Sequence, residues 1–125
     1  MIILEKIEHL EKEAAAFGLQ WETKEQIMTQ ILNECLEIEE HLHSPKQKEA
    51  LQEEIGDLLH AAFSLCVFCN FSPELTLAKS LDKFEKRLNA MKEIVKEKGL
   101  THLRDKSFAE LMEYWEQAKA RTQIL

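Results

Sequence analysis

Two acidic pairs stand out, Glu34-Cys-Leu-Glu37 and Glu54-Ile-Gly-Asp57, separated by sixteen residues. Three residues is close to one helical turn, so each pair shares a helix face. The spacing alone is weak. Glu5/Glu8, Glu22/Glu25, Glu37/Glu40 and Glu110/Glu113 repeat it, and an isolated pair of this kind reads as a solvated face. Setting and register separate the two pairs from the rest. At about 100° per residue, Glu34 projects beside Ile27 and Ile38, and Glu54 between Leu58 and Ala61, at the margins of apolar stripes. A carboxylate facing a helix interface is costly unless neutralised or coordinated. The midpoint of 34 and 57 is 45.5, and so is that of 37 and 54, next to Pro45. An antiparallel hairpin turning there sets all four carboxylates at one height. Four clustered negative charges repel, and oxygen-rich sites of this kind suit Mg²⁺, with Mn²⁺ as a substitute. Glu34, Glu37, Glu54 and Asp57 are the expected metal ligands and catalytic groups.

The elements that must hold them are helices. Thr23 with Gln26, Ser44 with Gln47, and Ser107 with Glu110 have the spacing of capping boxes. Ser72-Pro73 is a further start, and Gly18 and Gly99 stand where helices should stop. The spacing predicts helices over about 2–17, 23–43, 45–70, 73–98 and 107–121, and no strands. Ile27, Ile31, Leu32, Cys35, Ile38 and Leu42 form one stripe, and Leu77, Leu81, Phe84, Leu88, Met91 and Val95 a bundle seam. The third helix is different. From Leu58 onward, Leu59, Ala61, Ala62, Phe63, Leu65, Cys66, Val67, Phe68 and Cys69 leave it no polar side. Such a helix needs cover on every side, more than one short chain supplies, so a homodimer or a dimer of dimers is expected.

With 125 residues, 45% hydrophobic content and three glycines, the expectation is a single domain over 1–125. The net charge of −7 disfavours a nucleic-acid polymer as partner, since such binding rests on Lys and Arg contacts. The apolar run from Leu58 to Phe71 is interrupted by His60, Ser64 and Asn70 and is too short to span a membrane. The N-terminal residues carry no charged leader before an apolar stretch, and three cysteines without disulfide spacing suit a reducing compartment. No membrane association and a cytoplasmic location are the expectations.

The doubled motif, Glu34-x-x-Glu37 and Glu54-x-x-Asp57, resembles the signature of the MazG-type, all-α nucleoside triphosphate pyrophosphohydrolases. Trp21-Glu-Thr-Lys-Glu-Gln26, Glu53-Glu-Ile-Gly-Asp-Leu-Leu59, Lys83-Phe-Glu-Lys-Arg87 and Trp115-Glu-Gln-Ala-Lys119 extend the likeness over about residues 17–120. Asn33 departs from it, standing where many relatives have a Glu. The resemblance implies a four-helix-bundle-like fold with an additional C-terminal helix, its core completed by oligomerisation. It implies Mg²⁺-dependent cleavage of (d)NTPs to a monophosphate and pyrophosphate, a reaction suited to clearing unwanted nucleotides. Lys83 and Arg87 would then reach substrate phosphates, and Trp21, Trp115 and Lys119 would complete the substrate contacts.

Rival patterns are weaker. Cys66-x-x-Cys69 lies late in an apolar helix, without the helix N-terminus that lowers a redox thiol's pKa. It reads as two small hydrophobes. His43 after Glu40 and His60 after Asp57 evoke a di-iron bundle, but their midpoint falls near 50 rather than 45.5, so His60 reads as a hydrogen-bonded residue. The alternative from another class is a non-catalytic acidic helical dimerisation module, whose carboxylates merely solvate the bundle.

Overall fold

Helix starts and stops are written in short polar signals, and the computed structural model, which describes residues 2–44 and 48–123, follows them. Five helices result: α1 Ile3–Phe17, α2 Lys24–His41, α3 Lys48–Phe68, α4 Pro73–Glu97 and α5 Phe108–Thr122. No strand occurs among the described residues. At the start of α2 the Thr23 hydroxyl accepts from the Gln26 N–H at 3.2 Å, and Gln26 Oε1 accepts from the Thr23 N–H at 3.2 Å. Ser107 and Glu110 close the same box on α5 at 3.2 Å each way. The Ser107 N–H holds the Glu110 carboxyl below its ordinary pKa. At Pro73 the Ser72 hydroxyl accepts from the Leu75 N–H at 3.2 Å. Gln47, the partner expected to close a box with Ser44, and the turn at Pro45 lie outside the described residues.

Two helices stop on glycines in the left-handed region, α1 at Gly18 (φ 114°) and α4 at Gly99 (φ 76°). The third stop was not signalled by glycine. Asn70, at φ 64°, ends α3, with Phe71 N–H bonded back to Cys66 O at 2.8 Å. Asparagine tolerates that backbone better than other side chains with a Cβ.

The chain divides into two compact units, Met1–Thr76 and Leu77–Leu125. In the first, α3 packs against both α1 and α2. Ile27 on α2 is fully buried and Ala61 on α3 nearly so. Cover on α3 is partial: Phe63, Leu65, Val67 and Phe68 are half-buried, whereas Ile55 and Leu59 are 42% and 55% exposed. Cys66 and Cys69 are free and half-buried. Within the second unit, Ala90, Ile94 and Ala118 form a small core, with Met91 and Tyr114 against it. The seam expected along α4 is therefore covered at Met91 and Val95 and exposed at Leu81, Phe84 and Leu88. Arg121 clamps α5 to α4 through two 3.0 Å hydrogen bonds to both Glu97 oxygens.

Candidate metal and nucleotide site

The four carboxylates have different surroundings. Glu34 is buried on α2. Its Oε1 accepts a 2.6 Å hydrogen bond from Gln30 Nε2, one turn earlier, while its Oε2 is buried with no hydrogen-bond partner among the described residues. Glu37, one turn later, is exposed, and its carboxyl is held above the ordinary pKa, first by the negative charge of Glu34. Desolvation, the closeness of the Glu34 carboxyl and the charges of Glu54 and Glu40 push the same way.

On α3, Glu54 is engaged by His41, whose Nδ1 lies 2.7 Å from Oε1 and 2.8 Å from Oε2. That hydrogen bond is the largest cause of a raised His41 pKa, burial working against it. Asp57, one turn along α3, is exposed and shares a cavity with Glu34. Glu34 and Asp57 line one cavity, and Glu37 lies close enough to Glu54 to feel its charge. Among the described residues, no three His, Cys, Asp or Glu side chains gather around one point as a ready ligand set.

The donor set nonetheless suits a cation. A buried carboxylate oxygen without any hydrogen-bond partner is costly, and a positive ion is the most direct remedy. Glu37 experiences the repulsion that an ion among these groups would relieve. Oxygen donors alone match a hard divalent cation such as Mg²⁺.

The cavity shared by Glu34 and Asp57 has a volume of about 590 Å³ and is walled by α1, α2, α3 and the Leu19–Trp21 loop. Trp21 lines it, half-buried. So do Glu11 of α1 and His60 and Ser64 of α3. Glu11 Oε1 accepts from the Ser64 hydroxyl at 2.7 Å and from His60 Nε2 at 2.7 Å. His60 is thus the hydrogen-bonded residue its position suggested, with α1 as its partner.

The expected phosphate-handling residues belong to the second unit. Arg87 stacks over the Trp115 ring at 5.7 Å, and the Lys119 ammonium lies 6.0 Å from the same ring. Phe84 packs on it with ring centroids 5.9 Å apart. Two of the expected residues, Arg87 and Lys119, are therefore gathered around the indole of a third, Trp115. Lys83 stands beside them on α4, exposed in a shallow cleft with Lys79 and Lys86.

Sequence reasoning did not find Gln30, His41 or Glu11. Gln30 is four residues before Glu34 and His41 four after Glu37, the spacing of facing side chains on a helix. That was a usable signal. Ser64 continues the Asp57–His60 face of α3 at the next turn, but nothing local points from it to Glu11, 53 residues away.

Residues 22–91 match the family described as the MazG nucleotide pyrophosphohydrolase domain. The chain is 34% identical over 110 residues to the nucleoside triphosphate pyrophosphohydrolase/pyrophosphatase MazG of Thermotoga maritima, covering 88% of this chain and 41% of that protein. It is 28% identical over 120 residues to the nucleoside triphosphate pyrophosphohydrolase of Escherichia coli K12, covering 93% of this chain and 44% of that one. The chain spans less than half the length of these curated relatives.

Proposed function

Because the chain belongs to the MazG nucleotide pyrophosphohydrolase family, we propose that it is a Mg²⁺-dependent hydrolase cleaving (d)NTPs to a monophosphate and pyrophosphate. The observation that carries this reading is the buried, unpartnered Oε2 of Glu34, on a cavity that Asp57 also lines. Glu34, Glu37, Glu54 and Asp57 would hold the metal. Bound Mg²⁺ supplies charge neutralisation of the phosphates and acidifies an attacking water.

The chain's own groups do the rest. Gln30 fixes the rotamer of Glu34, and His41 fixes Glu54, so these two carboxylates are oriented before substrate arrives. A carboxylate oxygen of this set left free of metal would take the proton from the water as the water oxygen bonds to the α-phosphorus. The bond from that phosphorus to the α–β bridging oxygen breaks, and pyrophosphate leaves with the electron pair. Lys83, Arg87 and Lys119 supply positive charge for the departing phosphates. Trp21 and Trp115 belong to the substrate contacts in this reading. Clearance of unwanted nucleotides is the corresponding role, in a reducing cytoplasm that suits three free cysteines.

The working unit in this reading is a homodimer or a dimer of dimers. Leu32 and Leu36 are 59% and 58% exposed on α2, and Ile55 and Leu59 are exposed on α3. They lie two residues either side of Glu34 and of Asp57, so at about 100° per residue they project away from the carboxylates. Leu32 with Leu59, and Leu36 with Ile55, share the hairpin midpoint of the four acids. A second copy packing there would bury an apolar strip and leave the carboxylate side open.

The test is a panel of standard and modified (d)NTPs with Mg²⁺, scored for pyrophosphate and monophosphate. Mg²⁺-dependent release of both products supports the reading. Release of orthophosphate and a diphosphate, or no turnover of any triphosphate, would refute it.

A further inference from the structure

The cavity beside Glu34 and Asp57 has chemistry of its own that the cleavage reaction does not use. Along α3, Asp57, His60, Ala61 and Ser64 follow one face, and from Asp57 to Ser64 is about 10 Å at the helical rise. That length carries the cavity from the carboxylate pair to the Glu11 trio. Trp21 and Glu11 also border a second hollow running on toward Val67 and Phe68, which neither Glu34 nor Asp57 reaches. One part of the cavity is thus acidic, and a part farther along α3 offers an indole and a hydrogen-bonding cluster. A nucleotide has the same two-part character, phosphates at one end and a flat aromatic base at the other.

The hydrogen atoms in the cluster are already committed. Ser64 gives its hydroxyl proton to Glu11 Oε1, and His60 gives its Nε2 proton to the same oxygen. What remains on Glu11 and Ser64 is acceptor capacity, from Glu11 Oε2 and the Ser64 Oγ lone pairs. A carboxylate oxygen pairs with N–H donors and repels carbonyl oxygens. Resting on the pyrophosphohydrolase reading above, we propose that Glu11, braced by Ser64 and His60, is a specificity residue selecting triphosphates whose base carries an exocyclic amine, with the base against Trp21. Cytosine and guanine present such an amine. Uracil and hypoxanthine put a carbonyl or a bare C–H in its place.

Matched substrates test this directly. In kcat/KM, the wild-type chain should favour CTP over UTP, and GTP over ITP, by about tenfold or more, because a site built to bind an N–H rejects an analogue lacking it. Glu11→Gln, which adds a donor where only acceptors stood, should lower the CTP and GTP values about tenfold and raise that for UTP, collapsing both ratios. Wild-type ratios near one, or unaltered ratios in a folded Glu11→Gln, would overturn the proposal while leaving the reaction assignment standing. Should Glu11→Gln lose its fold by circular dichroism, the wild-type ratios decide alone. If no triphosphate is cleaved, the reaction assignment fails and calorimetric titration with CMP and UMP decides the pocket. Tighter CMP binding supports it, and equal affinity refutes it.

Discussion

Gln30 and Glu34, one turn apart on α2, share a 2.6 Å hydrogen bond that satisfies one oxygen of a buried carboxylate, while the other has no partner among the described residues. The pairing fixes the rotamer without removing the cost of the charge, and it leaves Oε2 available to a cation. Mg²⁺ should therefore raise the melting temperature, as any ligand specific to the folded state must. At a hundredfold excess over Kd the gain is about 2.7 kcal/mol, several degrees for a domain of this size. Glu34→Gln should abolish the rise without lowering the metal-free melting temperature, since it also relieves repulsion on Glu37. A wild-type chain indifferent to Mg²⁺ would instead favour the non-catalytic acidic module.

Glu37→Gln, Glu54→Gln and Asp57→Asn should each lose Mg²⁺-dependent turnover by at least about a hundredfold, the scale seen when charge stabilisation at a reacting centre is removed. Circular dichroism should show the helices intact. Full activity in any two of these three folded variants would remove the carboxylates from the mechanism.

Arg87 lies over Trp115, so Arg87→Ala removes both a cation for phosphates and a stacking partner. The stacking is worth about 0.5–1 kcal/mol at an exposed site. Arg87→Ala and Lys83→Ala should raise KM for triphosphates while leaving the Mg²⁺-induced melting shift in place. Loss of that shift in both would move these residues from phosphate handling to metal binding.

The Glu97–Arg121 clamp gives the second unit an acid-sensitive contact. Arg121 holds the Glu97 carboxyl below its ordinary pKa through hydrogen bonding and charge. The unfolded chain then binds this proton more readily than the folded one. The clamp's stabilisation is present above the ordinary carboxylate pKa and lost as pH falls through the lowered one. Arg121→Gln should lower the melting temperature modestly at pH 7, and the gap from wild type should close on acidification. A gap that persists below pH 3 would assign the effect to packing.

Much of the fold was legible because the signals are local, and of the candidate site the sharing of one cavity by Glu34 and Asp57 was legible too. Thr23/Gln26, Ser107/Glu110, Gly18 and Gly99 mark element ends by chemistry acting within four residues, and the shared midpoint of 34/57 and 37/54 needs only an antiparallel hairpin. What was illegible depends on which faces meet. The stripe through Leu81, Phe84 and Leu88 has the spacing of a bundle seam, yet apart from the Phe84–Trp115 contact α5 buries only its later part. The Glu11–Ser64 bond joins residues with no local relation, and the hold of His41 on Glu54 depends on side-chain directions that helical periodicity leaves open.

The exposed strip on the α2–α3 hairpin gives the last prediction. Four large apolar side chains, Leu32, Leu36, Ile55 and Leu59, each keep between 42% and 59% of their surface in water. Full burial of such a side chain contributes roughly 1.5–3 kcal/mol, so a contact completing the burial of all four is a substantial drive to associate. Light scattering at micromolar concentration should report at least twice the 14.6 kDa chain mass. Leu32→Glu with Leu36→Glu places two charges on each copy's strip and should shift the species to 14.6 kDa. Because both leucines are already exposed in the single chain, helical content should persist in the variant, separating lost association from lost folding. A wild-type chain that scatters as a monomer would refute the interface. So would a double variant that keeps the wild-type mass.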